Sequence, residues 1–406
     1  MEIIKGGVCA PKGFKAAGIH CGIRKNRQKR DLALIWSEAP AAAAAVYTTN
    51  LVKGAPLIVT KSNLNNGFAR AVICNSGNAN TCNADGVDIA EKTCVLLGAE
   101  LGIDPRDVIV ASTGVIGQPL ELEPIASGIP GLAAALGDSP ENCDNACEAI
   151  MTTDTVKKEI ALSFTLGGVP CRIGGIAKGS GMIHPDMATM LVFLTTDAAI
   201  SPAMLQKALS SDVRKSFNMV SIDGDTSTND MVSILANGLA GNPEITGDGP
   251  DFAEFMKALN TVTVHLCRAI AADGEGATKR LECTVSGAKD EDTARTAAKA
   301  VVCSSLLKAA MFGADANWGR VLCAIGYSGA QIDLAKVDVA FRSAKGRIQV
   351  CRGGAGLPFS EEKAKEILLE KEIDILVSLG GGGAEAIAWG CDLTYDYVRI
   401  NGDYRT

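Results

Sequence analysis

Short apolar segments recur along the whole chain, and they constrain its fold more than any other feature. Each is rich in Val, Ile or Leu and is bounded by Gly, Asn, Asp or Pro, which is typical of buried β-strands. They are Pro56–Thr60, Arg70–Cys74, Asp107–Ala111, Met190–Thr196, Met231–Leu235, Val262–Cys267, Val337–Arg342, Arg347–Cys351 and Asp374–Ser378. We predict a strand at each. Their spacing does not decide between a sandwich and an open sheet.

Helical patterns lie between these segments. Ser201 followed by Pro202 predicts a helix start, because Ser caps the free N–H groups and Pro suits the first turn. A second helix is predicted over Asp292–Ala310, where apolar residues recur on one side. Ser360 followed by two glutamates predicts a third. The fold class is therefore mixed α/β.

The length of 406 residues favours two or three domains. Composition changes near the sequence SGAKDE, Ser286–Glu291, after which Lys- and Glu-rich helical patterns become longer. We therefore predict one domain over residues 1–285 and a second over 286–406.

Charge and composition exclude several classes of protein. The net charge of −7 argues against a general nucleic-acid-binding surface. No stretch approaches the roughly 18 apolar residues of a membrane span, and no signal peptide is evident. The 14 cysteines are scattered and several lie in apolar runs, which indicates buried, reduced thiols. We expect a soluble cytoplasmic protein.

Metal sites are not predicted. Cys143 and Cys147 lie four residues apart but lack a second Cys or His pair for zinc. The acidic segment Asp223–Asp230 departs from a calcium loop, because Thr228 and Ile234 replace the required Gly and Glu.

The segment Ala177–Leu191 allows two interpretations. A glycine-rich loop that leads into a core strand is commonly plain turn chemistry. Alternatively, Thr189 could become an N-terminal nucleophile if its hydroxyl attacked the carbonyl of Ala188 and cut the chain. The freed α-amine, with a reference pKa of about 8, could then act as the base for that hydroxyl.

Two further segments have a structural and a functional interpretation each. Thr113 and Gly114 follow a predicted strand, where an ordinary turn or an oxyanion hole could form. Glu275 lies between two glycines and is either a solvated turn residue or a carboxylate that enters a pocket.

Taken together, the motifs closely resemble those of the ornithine acetyltransferase family, the glutamate N-acetyltransferases of arginine biosynthesis. The resemblance covers essentially the whole chain. Its best match, KGSGMIHPDMATML at Lys178–Leu191, resembles the family's processing site. Further matches are GGVCAPKGFKAAGIHCGI (Gly6–Ile23), PAAAAAVYTTN (Pro40–Asn50), CNSGNANTCNADG (Cys74–Gly86), ASTGVIG (Ala111–Gly117), MTTDT (Met151–Thr155), DGDTSTND (Asp223–Asp230), DGEGATK (Asp273–Lys279) and WGCDLTYDYVRINGDYRT (Trp389–Thr406).

The resemblance implies a role for particular residues. Thr189 would be the nucleophile, exposed by self-cleavage after Ala188, and Thr113 and Gly114 would form the oxyanion hole. The positions that match the family's substrate contacts are Thr152, Lys178, Thr189, Glu275, Asn401 and Thr406. One departure is Asp186, where many relatives would have Asn, which adds a negative charge three residues before Thr189.

The implied reaction transfers the acetyl group of N-acetyl-L-ornithine to L-glutamate through an acetyl-Thr189 ester, without a metal or organic cofactor. Some relatives also use acetyl-CoA, and the sequence leaves that activity open. The rival interpretations are a self-processing amidase or aminopeptidase, in which water is the acceptor, and an uncleaved metabolite-binding protein.

The resemblance also implies an architecture. The fold would be a layered α-β-β-α sandwich of the self-processing aminopeptidase-like type with a smaller C-terminal α/β domain, whose tail returns to the active site. The two fragments would stay together, as an α2β2 heterotetramer.

Overall fold

The structure, a computed structural model, describes residues 1–184 and 190–403. The chain forms two compact units that are not continuous in sequence. The first comprises residues 1–179, 186–214 and 226–266, and the second comprises residues 180–185, 215–225 and 267–406.

A nine-stranded mixed sheet forms the centre of the first unit. Its strands are β1 (Glu2–Ile4), β2 (Phe14–Ile19), β3 (Leu32–Tyr47), β4 (Phe68–Asn75), β5 (Val108–Ser112), β6 (Lys158–Leu166), β7 (Val169–Lys178), β8 (Leu191–Thr196) and β10 (Met231–Ala236). The order is β1-β6-β7-β8-β10-β3-β4-β5, and β2 pairs with β3. Strand β8 is antiparallel to β7, with Leu191 opposite Lys178, and parallel to β10.

Helices bury both faces of this sheet. They are α1 (Ala55–Asn63), α2 (Gly86–Leu101), α3 (Glu123–Ala134), α4 (Pro140–Ile150), α5 (Pro202–Val213) and the first part of α6 (Pro250–Ala272), which continues into the second unit. In β4, Ala71 and Ile73 belong to the core shared with α2 and α3, whereas Val72 and Cys74 belong to the core shared with α4. Successive side chains of β4 therefore point to opposite faces of the sheet and pack into two apolar layers.

The second unit contains a seven-stranded mixed sheet. Its strands are β9 (Val220–Ser221), β11 (Arg280–Ala288), β12 (Asp338–Ser343), β13 (Gly346–Arg352), β14 (Ala355–Gly356), β15 (Glu372–Ser378) and β16 (Ala384–Cys391), in the order β14-β13-β12-β15-β11-β16-β9. Its helices are α7 (Glu291–Cys303), α8 (Ser305–Phe312), α9 (Trp318–Tyr327), α10 (Glu361–Leu368) and α11 (Tyr395–Gly402). The predicted α/β class, with two sheets, is confirmed.

Two predicted strands are helical. Pro56–Thr60 lies in α1, where Pro56 occupies the first turn and its fixed φ suits a helix start. Val262–Cys267 lies in α6, where Leu259, Val262, Leu266 and Ile270 are buried at helical spacing. An apolar segment this short does not distinguish a buried strand from part of a longer buried helix.

The predicted helix starts agree with the structure, but one helix is divided. Ser201 and Ser360 accept N–H groups at the starts of α5 and α10. The single helix predicted over Asp292–Ala310 is instead α7 and α8. Ser304 separates them, because its extended backbone ends α7 and its side chain caps α8.

The division between the compact units differs from the predicted one at 285/286. The last crossing lies between Leu266 and Cys267. Strand β11 pairs with both β15 and β16, so the composition change at Ser286–Glu291 marks the end of an inner strand instead. The catalytic role of the first domain and the return of the C-terminal tail to the active site remain predictions.

Close backbone packing leaves no room for a side chain at Gly174 of the first unit. A Cβ atom at Gly174, in β7, would lie 1.9 Å from the carbonyl oxygen of Gly7. We expect Gly174→Ala to lower the free energy of unfolding by roughly 1–3 kcal/mol, because backbone must move to admit the methyl group. Urea denaturation measures the change.

The matched control is Gly131→Ala in α3, where the added Cβ would have no neighbour within 4 Å. This change is expected to be neutral or stabilising, because Ala favours a helix over Gly. Equal destabilisation by both substitutions would contradict the packing argument.

Candidate active site

The turn after β5 carries two hydrogen-bond donors that are not used within the described residues. The N–H of Thr113 donates to the carbonyl oxygen of Asn75 at 2.9 Å and is therefore occupied. Neither the Thr113 hydroxyl nor the Gly114 N–H has an acceptor among residues 1–184 and 190–403. Two such donors on neighbouring residues are what an oxyanion hole requires.

Asn75, at the end of β4, shapes this turn. Its amide nitrogen donates to the Ser112 hydroxyl at 2.7 Å, and its Oδ1 accepts the N–H groups of Gly77 and Asn78. Gly114 has a φ of +128°, and a Cβ there would lie 2.7 Å from the carbonyl carbon of Gly77. Glycine is therefore required at 114 by both conformation and space.

A buried carboxylate links the predicted substrate residues Thr152 and Lys178. Asp154 accepts the N–H of Thr152 at 3.0 Å and the N–H of Gly179, which follows Lys178, at 2.7 Å. It also pairs with Lys158 at 2.7 Å, and both of these side chains are fully buried. This role of Asp154 was not predicted from the sequence, although the motif MTTDT contains the residue.

The charges around Asp154 keep it ionised. Burial alone would raise the pKa of this carboxyl, but the ammonium groups of Lys178 and Lys158 and the bonds to Lys158 and Gly179 hold it well below its usual range. Lys178 is only 8% exposed, and within the described part of the chain its ammonium makes no hydrogen bond or ion pair. It is therefore suited to bind an incoming carboxylate.

In the second unit, Glu275 and Asn401 contact one another. The amide of Asn401, on α11, donates to Glu275 Oε2 at 2.8 Å, and the Glu275 N–H donates to the Ser180 carbonyl. A Cβ at Gly181 would lie 2.4 Å from the Glu275 carboxyl carbon, so a larger residue there would displace the carboxylate. A buried carboxylate of this kind can bind an ammonium group.

Asp223 is a further polar centre of the second unit. Its carboxylate accepts the N–H groups of Met182 and Ile183 at 2.6 and 2.9 Å and the Tyr397 hydroxyl at 3.2 Å. Burial, followed by the nearby charge of Asp223, raises the pKa of Tyr397. In the sequence, Asp223 suggested only an imperfect cation loop.

The structure thus brings the predicted residues together in three groups. Thr113 with Gly114 and Thr152 with Lys178 belong to the first unit, whereas Glu275 with Asn401 belongs to the second. Ala188, Thr189 and Thr406, together with Asp186, lie outside the described residues.

Within the described ranges, no group of three or more His, Cys, Asp or Glu side chains could hold a metal ion. No helix of residues 1–184 and 190–403 is long and apolar enough to cross a membrane. All 14 cysteines are free thiols; Cys82 and Cys323 are exposed and most of the others are buried.

Comparison with known proteins gives matches along the whole chain. The sequence profile of the ArgJ family matches residues 15–406. The arginine biosynthesis bifunctional protein ArgJ of Symbiobacterium thermophilum is 53% identical over 408 residues, covering 100% of both chains.

Solved structures match as well. A crystal structure of arginine biosynthesis bifunctional protein ArgJ from Bacillus halodurans is 48% identical with a TM-score of 0.50, and covers 53% of this chain and 99% of that one. The ornithine acetyltransferase of Mycobacterium tuberculosis, solved in complex with ornithine, is 38% identical and covers 46% of this chain and 98% of that one, with a TM-score of 0.43.

Proposed function

Since the chain belongs to the ArgJ family, the ornithine acetyltransferases of arginine biosynthesis, we propose that it moves the acetyl group of N-acetyl-L-ornithine to L-glutamate through an ester on Thr189. The observation that carries this proposal is the turn at Thr113 and Gly114, whose hydroxyl and N–H lack acceptors among the described residues. A preorganised pair of donors stabilises the oxyanion that acyl transfer creates.

The first step is formation of the nucleophile. The Thr189 hydroxyl attacks the carbonyl carbon of Ala188, the amide becomes an ester, and water hydrolyses that ester. The products are a chain ending at Ala188 and a chain beginning at Thr189 with a free α-amine.

The acetyl exchange then needs no further nucleophile. The Thr189 hydroxyl attacks the acetyl carbonyl of N-acetylornithine while its α-amine accepts the proton. The oxyanion is stabilised by the Thr113 hydroxyl and Gly114 N–H, and ornithine leaves with a proton from the α-ammonium. The glutamate amine next attacks the acetyl ester, and the second oxyanion is stabilised by the same two donors. The α-amine takes the proton from the glutamate nitrogen and returns it to the departing Thr189 oxygen, which yields N-acetylglutamate and restores Thr189.

The resemblance implies substrate contacts at Thr152 and Lys178 in the first unit and at Glu275 and Asn401 in the second. Lys178 offers a buried cation to a substrate carboxylate, with Thr152 nearby through Asp154. Glu275, supported by Asn401, offers a carboxylate to a substrate ammonium, and the resemblance makes Thr406 a further substrate contact. Ornithine and glutamate share the α-carboxylate, so one cation serves donor and acceptor.

The sheet of the first unit explains why cleavage would not release the fragments. Strands β1 to β7 precede Thr189, whereas β8 and β10 follow it, and β8 pairs with β7 while β10 pairs with β3. The fragments therefore share one hydrogen-bonded sheet. We propose that they remain associated and assemble as an α2β2 heterotetramer, which native mass spectrometry measures.

A two-substrate assay tests the function. With N-acetylornithine and glutamate, we expect ornithine and N-acetylglutamate in equal amounts and parallel double-reciprocal plots, the pattern of a covalent ping-pong mechanism. Without glutamate, one acetyl group should accumulate on the 189–406 chain. Release of acetate without transfer would instead indicate an amidase. Acetyl-CoA is tested in the same assay as a second donor, because relatives are named bifunctional.

A further inference from the structure

Neither the resemblance nor the proposed reaction gives Asp154 a role. Its carboxylate is fully buried, and besides its ion pair with Lys158 it binds backbone at or next to the two first-unit residues expected to bind substrate. One oxygen, Oδ2, accepts the backbone N–H of Thr152 at 3.0 Å, and the other, Oδ1, accepts the backbone N–H of Gly179 at 2.7 Å. Thr152 follows helix α4 and Lys178 ends strand β7, so Asp154 joins two separate elements.

The charge balance of this cluster favours an anionic ligand. Asp154 forms an ion pair with Lys158 at 2.7 Å. Lys178 also interacts electrostatically with Asp154, but no ion pair of 4 Å or less joins it to any described residue. Two ammonium groups and one carboxylate leave one net positive charge, at Lys178. Burying that charge is costly unless a partner arrives, and a substrate carboxylate is such a partner.

We propose that Asp154 is a positioning residue for the substrate carboxylate: it fixes the backbone at Thr152 and beside Lys178 so that both face the same carboxylate. This inference rests on the proposed function, and it adds a group that does not itself touch substrate. Asp154 pairs with Lys158 and leaves Lys178 uncompensated. Without the Asp154 carboxylate, two ammonium groups would repel one another and both backbone segments would lose an anchor.

The test compares two donors that differ only in the carboxylate. N-Acetyl-1,4-diaminobutane is N-acetylornithine without its carboxyl group. Single-turnover acetylation of the 189–406 chain, followed by mass spectrometry, gives kcat/KM for each donor. In Asp154→Asn, we expect the preference for N-acetylornithine over this analogue to fall by roughly 100-fold, mainly through KM for N-acetylornithine.

The matched control is Asp144→Asn. Asp144 also pairs with a neighbouring lysine, Lys157, at 2.6 Å, but both side chains are about two-fifths exposed. The control is expected to keep the preference of the unmodified enzyme. A purely structural role for Asp154 would lower the rates with both donors equally, so an unchanged preference in Asp154→Asn overturns the proposal.

A second variant covers the case in which the single substitution does not fold, because it removes the carboxylate that pairs with the buried ammonium of Lys158. Asp154→Asn combined with Lys158→Met removes the ion pair as a whole and keeps Lys178. We expect a folded protein with the same loss of preference, and retention of that preference overturns the proposal. If the unmodified enzyme transfers no acetyl group from N-acetylornithine, the proposed function fails instead.

Discussion

Replacing Thr189 with alanine is expected to leave the chain whole and to abolish acetyl transfer. Alanine has no hydroxyl to attack the carbonyl of Ala188, so neither the cleavage nor the acetyl ester can form. Intact mass under denaturing conditions should give two fragments of 188 and 218 residues for the natural sequence and one chain of 406 residues for the variant. Loss of activity should be complete, since hydroxyl and α-amine are both absent.

Thr189→Ser is the matched control, because serine keeps the hydroxyl and, after cleavage, the α-amine. It should be cleaved after residue 188 and should retain measurable transfer. Cleavage of Thr189→Ala at the same bond would contradict the proposed nucleophile. An uncleaved, folded natural chain would remove the α-amine base and would favour the metabolite-binding interpretation.

The second large effect is expected at the oxyanion turn. Gly114→Ala places a methyl group 2.7 Å from the carbonyl carbon of Gly77, at a φ of +128° that L-residues rarely adopt. The backbone must move, and the Gly114 N–H moves with it. We expect kcat to fall by roughly 10²–10³-fold, the usual loss of one oxyanion-hole donor, with little change in KM. Steady-state kinetics measure both.

Gly117→Ala separates backbone strain from loss of the donor. Gly117 also has a positive φ, +75°, but a Cβ there would have no neighbour within 4 Å. It should therefore reduce kcat much less than Gly114→Ala. Self-cleavage should be slowed by Gly114→Ala as well, if the same oxyanion hole serves both reactions. Equal kcat for the two variants would contradict a role for Gly114 in catalysis.

Local features of the chain were predicted well where one segment contains all the information. Ser201 and Ser360 begin helices because the serine hydroxyl binds an N–H within the next turn. Runs such as Met231–Leu235 become strands since they are short and bounded by turns. The strands predicted at Pro56–Thr60 and Val262–Cys267 were wrong. A short buried apolar run suits either a strand or a helix, and the surrounding packing decides which of them forms.

The sequence by itself determined the family, the α/β class and the motifs that contain Thr113, Gly114, Thr152, Lys178, Thr189, Glu275 and Asn401, because motif spacing is a property of the chain. Only the tertiary structure decided which of the described ones lie together. Asp154 lies two residues from Thr152 in sequence but 25 from Gly179, and β7 closes that separation. Buried hydrogen bonds form between distant segments, so their partners follow from the packed fold.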